Sequence, residues 1–188
     1  ERRYAAGGTS GSGSYGELAQ FKAEVLNEFI YQHNVQSVVE FGCGDGNQLI
    51  LADYPQYTGF DVSRTALNLC TNRFSSDRSK SFKHMREYVG ETADLAISLD
   101  VVYHLVEDAV FTKYMQTLFD AAQRYVAIYS SNYDANQTHH VRHRQFTQWI
   151  RENQPHWTLI QRIRNKYPYD PKTQTGSLSD FYFYGRTQ

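Results

Sequence analysis

The chain has 188 residues, 40% hydrophobic and 21% charged, which suits one domain with a sizeable core and excludes a disordered chain. Its 19 basic and 20 acidic residues leave a net charge of −1, against the strong basic excess of a nucleic-acid surface. No apolar run approaches the ~20 residues that span a bilayer, so no membrane partner is expected. The N-terminus lacks the apolar core of a signal peptide, and the chain starts at Glu1 rather than Met, as a trimmed or excised piece does. Two cysteines, Cys43 and Cys70, cannot build a disulfide framework and suit a reducing, cytoplasmic setting. The 15 tyrosines serve either as amphipathic core and surface filler or as rings lining a polar cleft.

In chain order, GGTSGSGSYG (7–16) comes first and reads as a flexible linker or as part of a working site. From Glu17 to His33, Leu18, Phe21, Val25, Leu26, Phe29 and Ile30 fall on one helical stripe. SVVEFG (37–42) is a short apolar run ending in glycine, as a buried strand does. A second strand is expected at YTGFDV (57–62), then a helix through TALNLCTNRF (65–74) and a weak strand at SFKHM (81–85). DLAISLD (94–100) is a strand and FTKYMQTLFDAAQRY (111–125) an amphipathic helix. YVAIYS (125–130), WTLIQRI (157–163) and DFYFYG (180–185) are further strands, with a short helix at RQFTQWIREN (144–153).

Strands alternating with helices dictate right-handed crossovers and a largely parallel sheet with helices on both faces. Only residues 165–179 separate the last two strands, and Pro168, Pro171 and Gly176 leave no helical pattern there. That pair is therefore expected to be antiparallel. The expectation is a single α/β domain over residues 17–188, with residues 1–16 a flexible segment and a candidate lid.

VVEFGCGDGNQL places Gly42, Gly44 and Gly46 in a G-x-G-x-G turn directly after a strand, where glycine permits a sharp bend and close approach to a ligand. A dinucleotide fingerprint reads G-x-G-x-x-G. Here Asn47 stands in place of its last glycine, so the turn suits a cofactor without a diphosphate. The next strand ends in Asp61, where an acid accepts hydrogen bonds from ribose hydroxyls.

With EFGCGDG, GFDVS and DLAISLDVVYHLVED in this order, the chain resembles the class I S-adenosylmethionine-dependent methyltransferases from about Tyr15 to Tyr184. The resemblance implies a Rossmann-like, seven-stranded, mostly parallel sheet with its last strand antiparallel, and S-adenosyl-L-methionine as cofactor. It implies cofactor contacts from Glu40, Gly42, Cys43, Gly44, Gly46, Asn47 and Asp61, with Val62 beside the adenosine and Asp100 near the methionine part. Glu87 or Tyr88 is the adenine-side candidate. In this fold the N-terminal segment folds over the cofactor, so Tyr15 and Lys22, joined by Arg2 and Arg3, are candidates to hold its carboxylate.

Methyl transfer to a hydroxyl requires removal of a proton. DVVYHL places Tyr103 and His104 just past a central strand, and His104 has the pKa range of a general base; the bland alternative is a histidine that caps a helix. THHVRHRQF brings His139, His140, Arg142 and His143 after the fifth strand, as a substrate wall or a basic surface. Tyr129 is a further substrate candidate. The H-H-x-x-H spacing matches no zinc signature, so no metal is assigned.

SLDVVY replaces the N/D-P-P-Y loop of base-amino methyltransferases, against a DNA substrate. The runs GSGSYGELAQFKAEVLN, FGCGDGNQL, SLDVVYHLVED and HVRHRQF resemble methyltransferase domains found beside glycosyltransferases. That association implies a sugar hydroxyl acceptor, on a glycan or nucleotide sugar, and a neighbouring glycosyltransferase as partner. Another small molecule or a protein is the alternative acceptor; a nicotinamide-dependent oxidoreductase and a non-catalytic cofactor-binding module are the alternative classes.

Overall fold

A computed structural model describes residues 10–135 and 140–187, which divide into two compact units, one ending at Glu91 and one beginning at Thr92.

In the first unit, helix α1 (Gly16–Gln32) buries Phe21, Val25, Leu26, Phe29 and Ile30, the expected stripe. The apolar strand β1 (Ser37–Phe41) follows, then β2 (Gln56–Asp61), α2 (Arg64–Arg73) and β3 (Lys80–His84). The strands run parallel in the order β3-β2-β1. Ser63 caps α2, its hydroxyl accepting from the Ala66 N–H at 3.3 Å, so the helix starts directly after the β2 acid. Between β1 and β2 the chain forms no α-helix. Only a 3-10 turn, Gln48–Leu51, fits into the short connection before Pro55, and proline ends any helical continuation.

In the second unit, β4 (Ala93–Leu99) is buried along nearly its whole length, with Leu95, Ala96, Ile97 and Ser98 fully enclosed. Helix α3 (Asp108–Asp120) leads to β5 (Ala122–Ser130), then α4 (Phe146–Asn153), β6 (Trp157–Ile163) and β7 (Asp180–Arg186). The strand order is β4-β5-β7-β6, with β4 and β5 parallel and both pairings of β7 antiparallel, as expected. Helix α3 stops five residues short of the expected Tyr125. The apolar stripe continues into AAQRY, but Ala122 already pairs with Ala93 in the β-ladder, and the ladder wins. Strand β6, the last in this order, is exposed along most of its length. No helix among the described residues is long and apolar enough to cross a membrane.

Candidate functional site

The glycine turn of the first unit leaves β1 with Gly42, Gly44 and Gly46 at φ +95°, +58° and +72°, a region open to glycine without penalty. A Cβ on Gly46 would stand 2.9 Å from Cys70 Sγ and 3.0 Å from Phe74, so α2 packs directly on the turn. Cys70 donates its thiol hydrogen to the Gly44 carbonyl at 3.2 Å. Hydrogen bonding to Cys70 and burial push the Cys43 thiol well above its usual range. It is packed inside the turn rather than presented to a ligand.

Every N–H from Gly42 to Asn47 has a protein acceptor. Gly42 and Cys43 donate to the Phe60 carbonyl at 2.7 and 3.2 Å, and Gly46 donates to Cys43. Gly44 donates to Asp61 Oδ2 at 2.9 Å, Asp45 to Ser10 Oγ at 2.8 Å, and Asn47 to Asp45 Oδ1 at 3.0 Å. Asp61 therefore fixes the turn, and its Oδ1 also accepts from the Ser63 N–H at 2.8 Å. A carboxylate has about four acceptor positions, which leaves lone pairs for ribose hydroxyls. Beside the turn, buried Gln48 donates to the Ala19 carbonyl while its Oε1 has no partner among the described residues. An orphaned acceptor, an acid with spare lone pairs and a turn with no α-helix behind it fit a cofactor that carries hydroxyls and an amino group but no diphosphate.

Glu40 and Lys22 are both buried. Burial raises the Glu40 carboxyl to about 7, against the opposing pull of the Tyr57 hydroxyl, 2.6 Å away, and of the Lys22 charge. Lys22 thus faces an internal carboxyl and offers almost no exposed surface. Tyr15 donates to Asp45 Oδ2 at 3.1 Å, and Asn47 donates to the Ser14 carbonyl at 2.7 Å. Val62 is 72% exposed at the end of β2. Its carbonyl lies 3.1 Å from the His84 ring, and Tyr88 packs edge-on against Phe41 and Phe60. Glu87 turns back to accept from the His84 N–H at 2.9 Å, which leaves Tyr88 as the ring beside this rim.

In the second unit, β4 ends at Asp100, a non-glycine residue at φ +59°. The strain persists because the residue is held on several sides. Its N–H donates to the Tyr129 carbonyl at 2.9 Å, and Oδ1 accepts from Tyr103 at 3.1 Å and Ser179 at 3.2 Å. The His104 ring lies beside Tyr103 with centroids 4.6 Å apart, and its Nδ1 is 3.0 Å from the His140 carbonyl.

His143 Nδ1 lies 2.6 Å from Ser131 Oγ, and its ring stacks on Tyr133 at 4.7 Å; burial lowers its pKa. Arg142 and Arg144 converge on Asp108, and Arg144 also donates to the Leu105 and Val106 carbonyls. Both arginines are thus held in place by several partners. Tyr129 is fully buried, its ring against Phe181 and its hydroxyl bonded to Asn165 at 2.6 Å. His139, Arg2 and Arg3 lie outside the described residues. Asp45 and Ser179 went unmarked in the sequence: their partners lie 35 and 79 residues away, and no local pattern signals them.

The family model of a methyltransferase domain matches residues 15–166. No curated protein matches. Among solved structures, the methyltransferase domain of bacterial CtHen1 is 19% identical, with 90% of this chain and 98% of that one covered and a TM-score of 0.69. N-methyltransferase NodS from Bradyrhizobium japonicum WM9, solved with S-adenosyl-L-homocysteine, is 16% identical, with 91% and 88% covered and a TM-score of 0.72. Magnesium protoporphyrin IX methyltransferase from Synechocystis PCC 6803, also solved with S-adenosyl-L-homocysteine, is 14% identical, with 89% and 83% covered and a TM-score of 0.68. These likenesses bear out the fold class: a Rossmann-like, seven-stranded, mostly parallel sheet with antiparallel last strands. The match removes the nicotinamide-dependent reading. With more than half of its length matched, this chain belongs to the methyltransferase domain family.

Proposed function

We propose that the chain methylates a sugar hydroxyl of a glycan or nucleotide sugar, with S-adenosyl-L-methionine as donor and His104 as general base. The donor supplies a methyl group bound to a positively charged sulfur. The glycine turn, Asp61 and the Gln48 carbonyl would hold it, and the neighbours solved with S-adenosyl-L-homocysteine support that choice.

The carrying observation is the setting of His104. A carbonyl oxygen only accepts, so the His140 carbonyl at 3.0 Å selects the ring tautomer with its proton on Nδ1. Nε2 is then the basic nitrogen, on an exposed ring and with no protein partner among the described residues. It is suited to take a proton from an acceptor hydroxyl. Tyr103, tied to Asp100, walls one side of the ring and fixes its neighbour.

Two observations support a sugar. The sequence runs resemble domains found beside glycosyltransferases. A cleft of about 370 Å³ in the second unit mixes Phe111 and Trp149 with Asp134, Gln145, Gln148 and Glu152. Rings meet the apolar faces of a sugar, while carboxylates and amides meet its hydroxyls.

The test is transfer of a radiolabelled methyl group to a panel of nucleotide sugars, glycans, small phenols, amines and peptides. His104→Ala is expected to lower turnover by about 100-fold or more, with unchanged S-adenosyl-L-homocysteine affinity by calorimetry. Full turnover in the variant removes the base assignment. Label confined to non-sugar acceptors removes the sugar and leaves the donor.

A further inference from the structure

The segment just before α1 is bound to the glycine turn mainly through Asp45, with Asn47 adding a second tie. Asp45 is only 4% exposed and gathers the contacts. Ser10 and Asp45 exchange two hydrogen bonds: the Ser10 N–H donates to Asp45 Oδ2 at 3.1 Å, and the Asp45 N–H donates to Ser10 Oγ at 2.8 Å. The Tyr15 hydroxyl donates to the same Oδ2 at 3.1 Å. Two residues further along, Asn47 donates its side-chain N–H to the Ser14 carbonyl at 2.7 Å. Burial favours the neutral Asp45 carboxyl, but the hydrogen bonds from Asn47, Ser10 and Tyr15 outweigh it and hold the group below its ordinary value.

Residues 12–14 form a single 3-10 turn closed by the Ser14 N–H to the Gly11 carbonyl at 3.0 Å. Gly11 at φ +100° and Gly16 at φ +57° flank that turn. At Gly16 a Cβ would meet nothing within 4 Å. Glycine is therefore needed there for its backbone angle and not for space. A short, stiff turn between two left-handed glycines, with Asp45 holding Ser10 and Tyr15 on either side of it and Asn47 holding Ser14, is a strap with a latch.

We propose that Asp45 is that latch: it holds residues 10–15 across the glycine turn, and its release sets how fast the methyl donor and its demethylated product come and go. The inference rests on the donor assignment above and adds a positioning residue to it. Asp45 faces the strap, so it acts on the donor through Ser10 and Tyr15 rather than by touching it. One residue thereby couples loop shape to access, because its N–H lies within the turn that would hold the donor.

S-adenosyl-L-homocysteine is the probe, with release followed by stopped-flow on the whole chain. Asp45→Ala is expected to release it at least about tenfold faster, since three hydrogen bonds to the carboxylate are lost together. Gly16→Ala, which leaves Asp45 intact and strains only the pivot, is expected to speed release several-fold. Chymotrypsin cleavage after Tyr15 reads the strap directly: the ligand should slow it in the wild-type chain and not in Asp45→Ala. An unchanged melting temperature shows that the variant is folded. Wild-type release rates together with wild-type protection of Tyr15 in folded Asp45→Ala overturn the latch and leave the donor assignment intact. A wild-type chain that does not bind the probe overturns the donor assignment, and the latch with it.

Discussion

Glu40→Gln tests whether the buried carboxyl of β1 costs stability at neutral pH. The side chain is buried, and burial raises its pKa from 4.5 in the open chain to about 7 in the fold. A carboxyl whose folded value lies above its unfolded value prefers the fold while protonated. Its contribution is complete below about pH 4.5 and is lost as pH rises through 7. At about 1.36 kcal/mol per tenfold change in proton affinity, the rise from 4.5 to about 7 converts to a loss of about 3 kcal/mol across that window. The amide of Gln keeps an acceptor for the Tyr57 hydroxyl and cannot ionise, so the variant removes the slope while approximating the shape. The assay is urea unfolding of both chains at pH 5 and pH 8. The wild-type chain should lose about 2 kcal/mol more than Glu40→Gln between those values. Any constant offset, from an amide facing Lys22, cancels in the difference. Parallel pH dependences in the two chains would refute the reasoning and show that Lys22 compensates the Glu40 charge.

Gly176→Ala should cost about 2 kcal/mol or more in urea unfolding. Gly176 sits at φ +85°, and an added Cβ would stand 2.3 Å from the Pro168 carbonyl oxygen, breaking the bridges that order the connection between β6 and β7. A change under about 0.5 kcal/mol would show that this connection adds little to stability. Arg144→Ala should cost about 2 kcal/mol, and Arg144→Lys should recover only a part. The guanidinium serves the Leu105 and Val106 carbonyls and Asp108 at once and lies 4.7 Å over the Phe111 ring, a fan of contacts that a single ammonium cannot reproduce. Full recovery in the lysine variant would show that charge alone matters there.

What was legible in the sequence was what neighbouring residues encode. Three glycines after an apolar run fixed the turn, and Asp61 lay at the end of the next strand. Prolines between the last strands marked the antiparallel pair. The misread element is the one where tertiary pairing overrode a local pattern, as at Ala122. Strand β6 reads as apolar, yet Leu159 and Ile160 are each nearly half exposed because it is the last strand of its order. Residue type marks His104 as a candidate, but the His140 carbonyl that orients its ring lies 36 residues away, and a backbone acceptor has no sequence signature. Tyr129 looked like a ligand ring because it lies near the end of β5. Its bond to Asn165, 36 residues away, turns it inward.

The same geometry gives a physical reason for the kind of cofactor the turn accepts. In a diphosphate-binding loop the free N–H groups point at the ligand and neutralise its charge. Here all six N–H groups from Gly42 to Asn47 are already spent on protein oxygens, two of them on the Asp61 and Asp45 carboxylates. A polyanion approaching this turn would meet no free backbone donor and two carboxylates within it. A ligand with hydroxyls, an ammonium and a positive sulfur meets the opposite case, since carboxylate lone pairs and the Gln48 carbonyl remain to accept from it. The substitution of Asn47 for a glycine is therefore a symptom. The preference resides in the protein oxygens that consume the donors of the turn, the two aspartate carboxylates among them.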